Sequence, residues 1–241
     1  MNELLKKIFL RSPHDLTAPD QDEPVALVYR GPASLPGCPE AVAKSLEKSN
    51  WNFDVRYVGP KEKLRLSQET LATAALYAQP GGEDLDDGYA HLKQHRRDIR
   101  RFVKSGGNYL GFCLGGYLAG ASPGFGLLPG DTDAYIETFD AAVTTEENSL
   151  IQVSWRGERR ELFFQDGPHF LINSGASVHV LATYTNKTIA ALVADFGEGR
   201  VGVVGPHPEA TKKWFTDINL TQPDRLGIDL ALDLVDEVMS R

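Results

Sequence analysis

Cys113 lies in Gly111-Phe112-Cys113-Leu114-Gly115-Gly116, between an apolar run and a small-residue stretch with helical character. Toward the other end of the chain, His207-Pro208-Glu209 offers an imidazole and a carboxylate two positions apart. A free thiol is mostly protonated at neutral pH, so a nucleophilic cysteine needs a base and a group that orients that base. Cys113, His207 and Glu209 supply those roles in chain order.

The pattern Gly-x-Cys-x-Gly suits a nucleophile elbow, a strained strand-to-helix turn whose neighbours leave no room for a Cβ. A thiolate at the start of a helix over 114–121 would also gain from free amides and the helix dipole. Gly81-Gly82 ends another apolar run. A glycine N–H there, with the Leu114 N–H, would be placed to bond a tetrahedral oxyanion. Pro206 and Pro208 stiffen the chain around His207, and Glu209 would hold the imidazole in one tautomer. Taken singly, the three features also read as a buried inert cysteine, a glycine turn and a structural His-Pro. Their coincidence favours catalysis.

The other candidates carry less. His91, His95 and His179 read as surface or core residues, and Cys38, at a helix start, as a packing residue. Arg30 and Gly31 end the first strand on the same rim, and His169 reads as a loop residue; all three are possible pocket residues. There is no phosphate loop, dinucleotide fingerprint or zinc spacing, so neither a cofactor nor a metal is expected.

The elements that must position these groups alternate along the first half. Strands are expected at Val25–Tyr29, Asp54–Val58, Leu76–Gln79 and Asn108–Phe112, with helices over 39–49, 89–104 and 114–121. That rhythm implies an α/β fold, a doubly wound and mostly parallel sheet flanked by helices. Ligands of such sheets bind at the carboxyl ends of the strands, where Arg30-Gly31, Gly81-Gly82, Cys113 and His207 would converge. After Pro123 the runs become β-branched and closely spaced, at 141–144, 150–154, 161–164, 178–184, 189–195 and 200–204. They read as an antiparallel β extension on the sheet edge, and a helix over 224–240 closes the chain.

With 241 residues, 41% of them hydrophobic, the chain can bury a full core without disulfides. We expect an N-terminal helix or arm and linker over 1–22, then a single domain over 23–241. Two cysteines give no disulfide framework, which points to a reducing, cytoplasmic setting. A net charge of -8 argues against nucleic acid and anionic membranes, and no apolar window reaches transmembrane length.

On these motifs the chain resembles the class I glutamine amidotransferase superfamily, whose flavodoxin-like α/β fold agrees with the reading above. Gly111-x-Cys113-x-Gly115 looks like its nucleophile elbow, Gly81-Gly82 like its oxyanion glycines, and His207-Pro208-Glu209 like its His-Pro-Glu signature. Within it, the chain is similar to the amidotransferase-like domain at the N-terminus of biotin–protein ligases, which also occurs alone. Tyr29-Arg30-Gly31-Pro32, Gln79-Pro80-Gly81-Gly82, Cys113 to Gly120, Asp166 to Phe170 and Gly205 to Glu209 carry that likeness. The resemblance implies a Cys-His-Glu triad that cleaves a C–N amide bond of a small molecule or peptide through a thioester. Any ammonia-acceptor chemistry would then need a separate synthetase or acceptor protein, and biotin transfer by this chain is not expected.

One departure bears on substrate. Glutaminases of the superfamily carry glutamine four positions after the cysteine, where this chain has Tyr117, so the resemblance does not carry glutamine over. Two other readings follow from the same residues. One is a silent binding or regulatory module that keeps the fold. The other is a dienelactone-hydrolase-type α/β-hydrolase, disfavoured because there the acid stands well before the histidine.

Overall fold

The computed structural model describes residues 23–240. The expected arm and linker over 1–22 lie outside the described residues. Five strands form the parallel core: β1 (Val25–Tyr29), β2 (Asp54–Val58), β3 (Leu76–Gln79), β4 (Asn108–Phe112) and, from far along the chain, β11 (Gly199–Val204). Their order is β2-β1-β3-β4-β11, all in parallel register. β3 and β4 are buried at every position, as expected of central strands with both faces covered.

Alternation along each strand divides the core. Ala26 and Val28 pack with Val42 and Leu46 of α1 (Cys38–Glu47) and with Leu234 and Val238 of a C-terminal helix. Leu27 and Tyr29 face the opposite layer, with Leu92, Ile99, Val103 and Leu118. Helices thus cover both faces, and the doubly wound α/β expectation holds. The remaining helices are α2 (Gln68–Leu71), α3 (Leu85–Leu92), α4 (Arg96–Lys104), α5 (Leu114–Ala119), α6 (Lys212–Asp217) and α7 (Ile228–Met239), the C-terminal helix.

The antiparallel extension also holds. β10 (Ile189–Phe196) pairs antiparallel with β11, followed outward by β9 (His179–Tyr184), β6 (Ser149–Trp155) and β7 (Glu158–Phe164). A ribbon of β5 (Gly130–Ala134) and β8 (Pro168–Ile172) joins β10 through Phe170 and Ile189. β11 is thus parallel to β4 on one side and antiparallel to β10 on the other.

Several expectations need correction. The single helix over 89–104 is two helices with a 3-10 turn at Lys93–His95 between them. Leu92 and Ile99 are buried but the six residues between them are not, so nothing anchors a continuous helix there. The first of the two starts earlier, because the Asp84 side chain accepts from the amides of Asp86 and Asp87. No strand forms over 141–144; Ala141 and Val143 pack on the core from a loop. The closing helix begins at Ile228, after Gly227.

Candidate active site

β4 runs straight into α5, and Cys113 is the joint. Its backbone stands at φ 49 and ψ -107, a conformation that strains any residue with a Cβ. The Cys113 amide donates to the Val204 carbonyl at 2.9 Å, tying the joint to the end of β11. A Cβ on Gly111 would stand 2.3 Å from the Gly115 oxygen, and one on Gly115 would stand 2.0 Å from the Gln79 oxygen. Both glycines are therefore required by backbone contact among β3, β4 and α5. α5 ends at Ala119, two residues sooner than expected. Its short length reduces the dipole contribution but leaves the Leu114 N–H, at the first helical position, without an intrahelical partner.

His207 lies just past β11. Its amide donates to the Phe163 carbonyl at 2.9 Å, and its ring meets Phe163 and Trp214 edge-on, with centroids 5.9 and 5.2 Å away. The imidazole is 5% exposed and Glu209 is 2% exposed. Nδ1 of His207 and Oε1 of Glu209 are 2.8 Å apart, so Nε2 is the nitrogen left for the thiol. Burial pulls the imidazole pKa down, but the Glu209 charge and the Cys113 side chain raise it more, so the net shift is upward. Oε2 of Glu209 is buried with no hydrogen-bond partner.

Gly81 sits between the two groups. A Cβ there would stand 2.7 Å from Cε1 of His207, 3.7 Å from Cβ of Cys113 and 3.4 Å from Sγ of Cys38. Absence of a side chain at Gly81 thus leaves room for the imidazole, a steric role that sequence reasoning did not assign. Cys38, read as a packing residue, is buried as expected but beside this junction. Burial first, then the charges of Glu209 and Cys113, push its thiol pKa far up, so it stays protonated.

Cys113 opens on a cleft of about 540 Å³, whose lining includes Gly82, Leu114 and Tyr117. The thiol donates to the Gln165 carbonyl at 3.6 Å. Gln165 and Asp166, in the turn between β7 and β8, also line the cleft. Neither was singled out as a site residue, because a turn residue carries no periodic signal. Asp166 stands at φ 44 with Oδ1 buried and unpartnered. Its pKa is raised to about 6, by burial first and then by Glu146, Glu137 and Asp84. Burial, Asp166 and Cys113 raise the Tyr117 hydroxyl well above the tyrosine range.

Three expected pocket residues are elsewhere. Arg30 bonds Glu62 at 2.8 Å and Glu40 at 3.2 Å, with its guanidinium 3.6 Å above the Tyr57 ring; these contacts hold it away from the cleft. A Cβ on Gly31 would meet the Tyr29 hydroxyl at 2.6 Å, so this glycine serves local packing. His169 is a buried strand residue of β8, opposite Asp133 of β5 rather than in a loop, and burial lowers its pKa. No group of side chains able to hold a metal occurs among the described residues, and no described helix is long and apolar enough to cross a membrane.

The layered sheet and its cysteine elbow define the class, an α/β protein of amidotransferase-like fold. A solved structure from Thermoplasma acidophilum, described as part of a GMP synthase, shares that fold, with TM-score 0.52 at 11% identity over 89% of this chain and 97% of its own. A GH42 beta-galactosidase superposes with TM-score 0.51 at 17% identity, over 89% of this chain and 29% of its own. More specifically, residues 25–133 match the family described as biotin-protein ligase, N terminal. The biotin–protein ligase of Schizosaccharomyces pombe is 28% identical over 163 residues, covering 57% of this chain and 26% of the ligase. The resemblance read from the sequence therefore stands, and this chain spans about a quarter of that ligase. The family match includes Gly81, Gly82 and Cys113 but stops before His207 and Glu209.

Proposed function

We propose that this protein is a cysteine-dependent amidotransferase-like hydrolase or transferase acting on a C–N amide bond through Cys113, His207 and Glu209. The observation that carries the reading is the Cys113 elbow, strained at φ 49 over a cleft, with a buried imidazole behind it held by Glu209 at 2.8 Å. His207 takes the thiol proton and the thiolate attacks the amide carbonyl. The amides of Gly82 and Leu114 donate to the oxyanion. Imidazolium then protonates the leaving nitrogen, the C–N bond breaks, and a thioester remains on Cys113. Water, deprotonated by His207, attacks that thioester and releases the acid and the thiol. An amine in place of water makes the reaction a transfer. The relationship to a biotin–protein ligase supports biotin amides and biotin-acceptor proteins as the first substrates and partners to test.

Tyr117 favours a second reading. It fills the position where a glutaminase has glutamine and lies partly buried against the cleft, which suits a silent binding module on the same fold.

The pH dependence of iodoacetamide alkylation, followed at Cys113 by peptide mass spectrometry in wild type and His207→Ala, separates the two. A rate plateau reached well below pH 8 and lost in His207→Ala supports the enzyme. An ordinary thiol titration near pH 8.5 in both proteins overturns it in favour of the module.

A further inference from the structure

The same cleft carries charge of one sign. Glu83, Asp84, Asp133, Glu137, Glu146 and Asp166 line it, and no lysine, arginine or histidine does among the described residues. Acids elsewhere are matched by cations: Arg156 bonds Asp233 and Glu237, and Arg160 bonds Asp229. None of the six cleft carboxylates forms an ion pair among the described residues. The two that are hydrogen-bonded serve local turns, Asp84 capping α3 and Asp133 accepting from the neighbouring Ala134 amide. Asp166 is the least exposed of the six, and its Oδ1 is buried with no donor.

Such a wall is costly in the reaction proposed above. A thiolate and then an oxyanion must form at Cys113, in the same cleft as the carboxylates, where negative potential opposes both. A cationic group arriving with the substrate removes that conflict, and its N–H groups satisfy Asp166 through charge-assisted hydrogen bonds. We infer that the substrate is an organic cation, an amide bearing an ammonium or guanidinium group that sits against Asp166, Glu137 and Glu146. This inference rests on Cys113 being the reacting group and names the substrate class of that site.

The test uses paired thiol reagents with the same warhead and opposite charge, methanethiosulfonate ethyltrimethylammonium and methanethiosulfonate ethylsulfonate. Modification of Cys113 is followed by mass spectrometry. We expect the cationic-to-anionic rate ratio to exceed that of 2-mercaptoethanol by about 10-fold or more at low ionic strength, and to shrink as salt is added. Glu137→Gln, Glu146→Gln and Asp166→Asn combined bring the ratio toward the free-thiol value, and agmatine protects Cys113 where glutarate does not. A wild-type ratio equal to the free thiol, independent of salt, overturns the inference even if the triple variant fails to fold. The outcome is separable from the enzyme reading. Loss of the acidic alkylation plateau sinks the chemistry while leaving the charge ratio intact, and the converse result sinks only the cationic substrate.

Discussion

Replacing Glu209 by glutamine removes one buried charge while keeping the side chain's shape. In the wild type the Nδ1 to Oε1 distance of 2.8 Å places the two charge centres roughly 4 Å apart. At an effective dielectric near 20 that separation is worth about 4 kcal/mol, or about 3 pKa units on His207. Burial acts in the opposite direction and is the largest single influence on this imidazole. Removing the carboxylate therefore leaves burial opposed only by Cys113. His207 should titrate above the ordinary histidine value in the wild type and at or below it in Glu209→Gln.

Six histidines are present, so the measurement is a ¹³Cε1-histidine NMR titration, with the His207 signal assigned by its loss in His207→Gln. The same shift links to stability with a definite sign. A histidine whose pKa is raised by folding stabilises the fold fully below its unfolded pKa near 6.5, and that contribution is lost as pH rises through the folded value. Wild type should thus lose more stability than Glu209→Gln between neutral and alkaline pH. An unchanged His207 inflection in Glu209→Gln, or a wild-type inflection near 6.5, would refute the reasoning that Glu209 sets the charge of this imidazole.

Other substitutions probe the rest of the site. Gly81→Ala places a methyl 2.7 Å from the His207 ring. It should shift the imidazole at a cost of about 1–3 kcal/mol and abolish the acidic plateau of Cys113 alkylation while the fold persists by circular dichroism. Gly115→Ala drives a methyl to 2.0 Å from the Gln79 carbonyl; neither backbone can yield, so urea midpoints should fall by the equivalent of about 3 kcal/mol or more. Asp166→Asn should stabilise. The native carboxyl, raised to about 6, opposes folding once ionised, and after discounting for partial exposure the gain is about 1 kcal/mol at pH 7.5, vanishing as pH falls below the native and then the unfolded pKa. Arg160→Met removes a buried guanidinium that bonds Asp229 at 2.7 and 2.9 Å and the Leu226 carbonyl at 3.1 Å. Thermal melts should show a loss of about 2 kcal/mol, because the partly exposed Asp229 regains water only in part.

The strands of the parallel core were legible because burial on both faces selects short unbroken apolar runs. Val25–Tyr29, Asp54–Val58, Leu76–Gln79 and Asn108–Phe112 match the structure at both ends. β5 was not legible. Its sequence, Gly-Asp-Thr-Asp-Ala, has no fully buried position and becomes a strand only through the five residue pairs it makes with β8. The opposite failure is 141–144, whose alanines and valine suggest a strand; there the Tyr135 hydroxyl accepts from the Ala142 amide at 2.9 Å and a loop forms instead. Cys113, His207 and Glu209 could be read because each stands in a local motif. The acidic wall could not. Its members come from four separate segments, and each alone is an ordinary exposed acid.

That contrast reflects a division of labour within the sheet. The cysteine, Gly81 and Gly82 follow β4 and β3, and His207 and Glu209 follow β11, so the parallel strand ends fix every atom the proposed chemistry needs. Gly111 and Gly115 weld those ends together, and the Cys113 amide bond to Val204 couples nucleophile and base to one register. Asp133, Glu137, Glu146 and Asp166 come instead from β5, the loop after it and the turn after β7, all in the region added beyond the parallel core. A change of substrate charge would therefore require substitutions mainly in the extension and its loops, leaving the strand ends untouched. Reversing Glu137, Glu146 and Asp166 to lysine should invert the reagent preference at Cys113 without displacing the 2.8 Å pairing of His207 and Glu209. If inversion of the wall also destroyed that pairing, with the His207 inflection falling as in Glu209→Gln, the two parts would be one coupled unit and the division would be wrong.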